Sequence, residues 1–249
     1  MSPASAERAL RSAVALVWLA TGLLVVVPYY RAEGVRWLAP LGFGAWLMVA
    51  TCLGEIVLAA VVLWRRTDLL QAFAQTAPIL AFTAILAVLD PRLLAHPFGV
   101  LTKNIPIVTA VWTAYLLERE GFTPRVDRLL RVAAGLIWIT EGIFPKLFFQ
   151  SPLEIGVLGA FGIPAGAASA MIRVTGVAQT ASGVLVFTLR GRALRALLLL
   201  QIAALVFLPA LVTWTYPEMW AHPFGPLTKN VVIVASAYVL WRRCTPTSS

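Results

Sequence analysis

The 249 residues are 60% hydrophobic and only 12% charged, with a mean hydropathy of +0.84, well outside the range of soluble globular domains. The net charge of +9 would suit a nucleic-acid partner, but the basic residues cluster in short segments between apolar runs, so the basicity is topological and no nucleic-acid partner is expected. Two cysteines, Cys52 and Cys244, with no CxxC pair, exclude dithiol exchange.

Eight apolar runs approach the roughly 20 residues that a bilayer-spanning helix needs. They cover 12–30, 41–64, 69–89, 98–117, 130–149, 166–189, 193–214 and 224–241. The first follows Arg8 and Arg11, as a secretory signal would. It continues into Pro28-Tyr29-Tyr30-Arg31 without a small-residue cleavage site, so it is expected to be retained. Pro78 and Pro209 are expected to kink the third and seventh spans. The sixth span carries Gly166, Ala170, Gly176, Ala178, Ser182 and Gly183, and small residues let helices approach closely in lipid, which places it at the centre between the two halves.

Arg8, Arg11, Arg65, Arg66, Arg119, Arg125, Arg128, Arg131, Arg190, Arg192, Arg195, Arg242 and Arg243 lie at the termini and in the loops after even-numbered spans. Arg31, Arg36, Arg92, Lys103, Lys146, Arg173 and Lys229 lie on or toward the other side. Positive residues collect on the cytoplasmic face, so both termini are expected there.

The chain repeats itself. Ala95-His96-Pro97-Phe98-Gly99-Val100-Leu101-Thr102-Lys103-Asn104 returns 126 residues later as Ala221-His222-Pro223-Phe224-Gly225-Pro226-Leu227-Thr228-Lys229-Asn230, identical at nine of ten positions. Arg11, Trp18 and Gly22 return as Arg131, Trp138 and Gly142; Arg66 and Gln75 return as Arg192 and Gln201. The expected organisation is therefore two copies, 1–122 and 123–249, joined by a charged linker at 118–128. With an even number of spans each, both copies enter from the same side as parallel repeats. The fold class is an all-α integral membrane protein with eight transmembrane helices in two parallel four-helix repeats.

The fourth and eighth spans are short. After Asn104 only 105–117 is apolar, about 20 Å of helix, and after Asn230 only 231–241, about 16 Å. Either these helices begin deep in the outer leaflet or they extend back to Phe98 and Phe224; both readings bury Lys103, Asn104, Lys229 and Asn230. Glu55, Glu141 and Gln179 fall near mid-membrane, Lys146 further out, and Arg173 toward the outer interface. Ionisable residues at such depth mark functional sites by default. A polar, outward-opening pocket between the copies is expected, holding two carboxylates and up to four cations, with Glu55, Lys103, Asn104, Glu141, Lys146, Gln179, Lys229 and Asn230 as candidate ligand-binding residues.

Each of these residues has a plainer reading. Lys103 and Lys229 could snorkel to the headgroups with their stems in lipid, and Glu55 and Glu141 could simply pair with them. His96 and His222 read as helix-initiating residues; with Glu55 and Glu141 they are also candidates for a proton relay. Two lone histidines on separate loops fall short of a metal site. Trp18 and Trp138 read as packing residues.

The combination Arg-x6-Trp-x3-Gly (Arg131, Trp138, Gly142) followed by Lys146, a second helix with Glu55 and Ala59 or Gln179 and Gly183, and HPFGxLTKN before the last helix resembles the DoxX-like membrane protein family. The resemblance spans nearly the whole chain as two units. It implies the four-helix fold and, through family members associated with quinone-linked sulfur oxidation, a redox role. The copies differ: Thr21 stands where the second has Glu141, no lysine matches Lys146, and Gln179 stands where the first has Glu55. That difference favours one asymmetric, shared pocket. The expected function is binding of a lipophilic, polar-headed ligand, a quinone or an anionic lipid, in the outer half of a bacterial cytoplasmic membrane. In the redox version a partner in the membrane supplies electrons, since no metal or flavin site is evident and quinone is the one cofactor implied. A small-molecule or lipid transporter with its site between the repeats is the alternative.

Overall fold

The first helix is set by its own N-terminus. The Ser2 hydroxyl accepts the Ser5 amide hydrogen, and Pro3 occupies the first turn, where no N–H is needed. The computed structural model describes residues 1–244 and contains no strand among them. Helix α1 (Pro3–Leu23) tightens into a 3-10 turn at Leu24–Val26 and is followed by a short α2 (Pro28–Leu38), α3 (Ala45–Trp64), α4 (Leu69–Leu89) and α5 (Asn104–Glu120). The second copy repeats this order. Helix α6 (Pro124–Gly142) runs into a π-helical turn at Ile143–Phe148, then come α7 (Pro152–Ala160), α8 (Ala165–Thr188), α9 (Gly191–Thr215) and α10 (Asn230–Arg243).

Among the described residues, five helical segments are long and apolar enough to cross a membrane: Pro3–Val26, α3, α4, α8 and α9. A sixth arises if α6 with its π-helical turn and α7, bent by 89°, count as one broken span. Helices α5 and α10 fall short because they start at Asn104 and Asn230, not at 98 and 224; their 17 and 14 residues reach about 25 and 21 Å. No separate apolar run marks α2 and α7, yet both carry helix-start chemistry. Pro28 and Pro152 take first-turn positions, the Ser151 hydroxyl accepts the Leu153 amide hydrogen, and Glu154 lies in the first turn of α7.

Helices α1, α5, α6 and α10 form the centre, and the copies meet through α5 against α6 and α1 against α10. Their shared core includes Leu10, Ala114, Leu130, Ala134, Ala237 and Leu240. The sixth span, α8, is not between the copies. It packs on α6 within its own copy and presents Val174, Val177 and Phe187 outward. Its small residues do mark a close contact, but with a helix of the same copy: a Cβ on Gly142 would lie 2.6 Å from the Gly176 carbonyl oxygen, and one on Gly183 2.6 Å from that of Gly135. Gly22 plays the corresponding part in the first copy, 2.7 Å from the Cys52 oxygen by the same measure. Helices α4 and α9 continue through Pro78 and Pro209.

The repeated arginine anchors the same pair of helices. Arg11 is bonded to Glu7 at 2.8 Å and donates to the carbonyls of Val62 and Leu63 at 2.9 and 2.7 Å, closing the end of α3. Arg131 is bonded to Asp127 at 2.9 Å and donates to the carbonyls of Val186 and Leu189, closing α8. A cation at orphan helix-terminal carbonyls also meets the negative end of the helix dipole. This end of the bundle gathers further arginines: Arg66 pairs with Glu118 at 2.8 Å, and Arg195 and Arg243 lie over the rings of Trp241 and Phe122. At the opposite end, the Arg92 guanidinium bonded to Asp90 at 2.7 Å holds that carboxyl below the usual aspartate range.

Candidate functional site

The HPFG strings form matching turns. After a 3-10 turn at Pro91–Ala95, His96 Nδ1 accepts the Phe98 amide hydrogen at 3.3 Å; after Pro217–Ala221, His222 Nδ1 does the same for Phe224 at 3.3 Å. Each turn then bends at a glycine with positive φ, +68° at Gly99 and +53° at Gly225, a region open to glycine and strained for other residues. The two imidazoles face each other with centroids 6.4 Å apart. The histidines thus shape the turns, and among the described residues no group of three or more His, Cys, Asp or Glu side chains could hold a metal ion.

The turns deliver Lys103 and Lys229 across the molecule. Lys103 Nζ donates to the carbonyl oxygen of Pro226 at 2.6 Å, and Lys229 Nζ donates to that of Val100 at 3.0 Å. Val100 and Pro226 correspond in the repeat, so the contact is reciprocal. Both lysines are 7% exposed and bonded inside the protein, so they do not snorkel.

The polar groups are divided between two cavities, not gathered in one. The first, about 300 Å³, lies in the first copy and is lined by Trp18, Thr21, Tyr30, Glu55 and Asn104, with Phe224 and Lys229 contributed by the second copy. The second, about 190 Å³, lies in the second copy and is lined by Trp138, Glu141, Lys146, Glu154, Gln179 and Asn230, with Phe98 and Lys103 contributed by the first. His96 and His222 line neither cavity, and Arg173 is exposed on α8 away from both. The single shared pocket expected from the uneven distribution of Glu55 and Glu141 is replaced by two, because each HPFG turn reaches over to the other copy. Sharing is nonetheless correct for each cavity.

The cavities have diverged in their hydrogen bonding. In the first, Trp18 Nε1 donates to Gln75 Oε1 at 3.2 Å, and Asn104 Nδ2 donates to Thr83 Oγ1 at 2.7 Å. One Glu55 carboxylate oxygen has no partner. In the second, Gln201 turns away from Trp138 and donates to Ser182 Oγ at 2.7 Å, leaving the indole N–H unpartnered. Pro209 stands where Thr83 would be, and Asn230 Oδ1 has no partner. Glu141 accepts from Thr102 Oγ1 at 2.5 Å, while Lys146 pairs with Glu154 at 2.8 Å and donates to the Glu141 carbonyl at 3.1 Å. Thr102 and Glu154 are not legible as site residues in the sequence, although Glu154 follows Lys146 by eight residues in a helix-starting context. Trp18 and Trp138, read as packing residues, both form cavity wall.

No curated protein and no solved structure matches this chain. The sequence profile of the DoxX-like family matches twice, over residues 15–112 and again over 135–238, so the two repeated units seen in the helix order are two family units. The chain is a multi-pass helical membrane protein and belongs to the DoxX-like family.

Proposed function

We propose that this protein crosses a bacterial cytoplasmic membrane eight times, as two parallel repeats with both termini in the cytoplasm, and binds a lipophilic, polar-headed ligand in the cavity of its first copy. The arginine-rich end carries the start of α1, the end of α10 and the loops after α3, α5 and α8, the distribution expected of a cytoplasmic face. Helices α5 and α10 complete their crossings through the preceding turns. Residues 97–103 are buried, and irregular backbone is tolerated at membrane depth where protein surrounds it.

The observation that carries the reading is the first cavity itself. Its walls are mainly apolar and aromatic, including Trp18, Trp37, Phe43 and Phe82, and its polar groups come from Lys229, Glu55 and Asn104. Such a combination suits an apolar body with one oriented polar head. The Lys229 ammonium has three donors and uses one on Val100, so others are free for the carbonyl of a quinone or the phosphate of an anionic lipid. With a quinone, Lys229 holds the carbonyl and Glu55 carries a proton, while electrons come from a partner in the membrane.

The test is to purify the protein in native lipid discs and identify retained lipophilic molecules by mass spectrometry, beside Lys229→Met and Glu55→Gln. A stoichiometric quinone or anionic lipid lost in Lys229→Met supports the reading and names the ligand. The same annular lipid in all three proteins overturns it.

A further inference from the structure

The first cavity opens sideways. Five apolar residues of its wall, Leu41, Phe43, Phe82, Ile85 and Leu89, are also 37 to 43% exposed, so they form the rim of a mouth. Leu41 and Phe43 lie between α2 and α3, while Phe82, Ile85 and Leu89 recur every three or four residues along α4, a face about 10 Å long. The mouth follows from how the helices are shared out: α3 packs on α1 and α2, whereas α4 packs on α5. Near the arginine-rich end, Gln71 Nε2 donates to the Val61 carbonyl at 3.2 Å and ties α4 to α3. The opening therefore lies toward the other end.

The surroundings of the rim are apolar. Val49, Leu53 and Val57 of α3 and Leu80 and Val88 of α4 are exposed on helices apolar enough to span, so lipid chains border the mouth. Directly behind the rim, Thr83 Oγ1 holds Asn104 at 2.7 Å, and Glu55 and Lys229 share the cavity wall. A volume of about 300 Å³ is at the lower end for small-molecule sites, room for a head group and the start of a chain. Enclosing the rest of a chain would gain little, because lipid is as apolar as the wall. The second copy differs: none of the large apolar residues on the described wall of its cavity is exposed. There Val157 of α7 packs with Val212 of α9 and with Met219, and Tyr216 closes against Gly156.

We propose that the ligand of the first cavity carries a long hydrocarbon chain, enters head first from the bilayer between the α2–α3 loop and α4, and leaves its chain lying across Phe43, Phe82 and Ile85 in contact with lipid. This rests on the reading of the first cavity as a site for a lipophilic, polar-headed ligand. It adds the ligand's class and route: a long-chain amphiphile already dissolved in the membrane, not a compact molecule arriving from water.

The test uses the full chain in phosphatidylcholine discs and two probes, a decyl-benzoquinone and a phosphatidic acid, each with a photoactivatable diazirine at the end of its chain. Labelled residues are mapped by mass spectrometry, with and without an excess of the same compound lacking the diazirine. Label that the excess removes is expected at Phe43, Phe82 and Ile85 from at least one probe. Label at the lipid-facing Val57 and Val174 is expected to persist. Competed label at Met48 or Ile79, buried in the cavity wall, overturns the mouth and leaves the ligand reading standing. No competed label at either set overturns both. Ile85→Trp narrows the mouth and is expected to raise the probe concentration for half-maximal competed labelling roughly 5-fold or more. Val88→Trp, on the lipid side of the same helix, is expected to leave it unchanged. Equal values in the two variants overturn the proposal. The label map of the unsubstituted chain carries the test if Ile85→Trp does not fold.

Discussion

Lys103 and Lys229 hold the two copies together by exchanging sides: each ammonium donates to the carbonyl at the position that precedes the other lysine by three residues, Pro226 and Val100. Each bond joins the copies far from the α5–α6 linker. Replacing either lysine with methionine leaves a buried carbonyl without its charged donor. A loss of about 1.5–3 kcal/mol is expected for each single variant, seen as a lower thermal midpoint in detergent. An unchanged midpoint in both variants would mean that these bonds do not tie the copies.

The glycines at the α1–α3 and α6–α8 contacts set a second expectation. Gly22→Ala and Gly142→Ala each drive a methyl group into a backbone oxygen less than 3 Å away, so the helices must separate. A destabilisation of about 1–3 kcal/mol follows from such overpacking. Gly54→Ala, in the same helix as Glu55 but with nothing within 4 Å of the new methyl, should instead be neutral or stabilising by up to about 1 kcal/mol. Thermal unfolding of the three variants separates close approach from simple helix propensity.

Arg131→Ala should open one helix end without opening the bundle. The guanidinium closes the last turn of α8, so hydrogen exchange is expected to rise at residues 186–189 and remain near wild type at the end of α3. Arg11→Ala should give the converse pattern, with exchange rising at 62–65. Each loss is expected to be about 1–3 kcal/mol locally. Faster exchange throughout either variant would contradict a local capping role.

The histidine turns can be tested by acceptor chemistry. His96→Ala and His222→Ala each remove the Nδ1 acceptor of a backbone N–H, at an expected cost of about 0.5–1.5 kcal/mol, and asparagine, with its short acceptor arm, should recover part of that. A thermal midpoint restored by Asn in both copies supports the turn role. Equal loss with Ala and Asn would point to the facing imidazoles themselves.

Much of this architecture is legible in residue order. Arg11-Trp18-Gly22 and its return as Arg131-Trp138-Gly142 identify the unit, and the structure uses the three residues as helix cap, cavity wall and point of close approach. The duplication reveals which positions correspond, but not into which copy a turn folds, so the crossing of Lys103 and Lys229 is hidden. Gly176 and Gly183 announce a tight helix contact without naming its partner, and small residues alone therefore point α8 wrongly to the centre. Helices α2 and α7 escape a hydropathy reading, which finds long spans and not two- or three-turn helices set by a proline. Glu154 escapes with α7. The polarity of the lysines amid apolar runs is readable, but that alone does not tell a snorkelling ammonium from one buried and bonded to Pro226.

The crossing of the HPFG turns also changes how the halves could vary. Pro97, Phe98 and Lys103 are encoded in the first unit but line the cavity of the second, and Pro223, Phe224 and Lys229 do the converse. An isolated unit would lack one wall of its own cavity and could complete it only by pairing head-for-head with another copy of itself. Joining two such units in one chain makes the partners permanent and releases them from being identical. A change in either turn is then felt in the opposite half, so each cavity has two separately inherited walls.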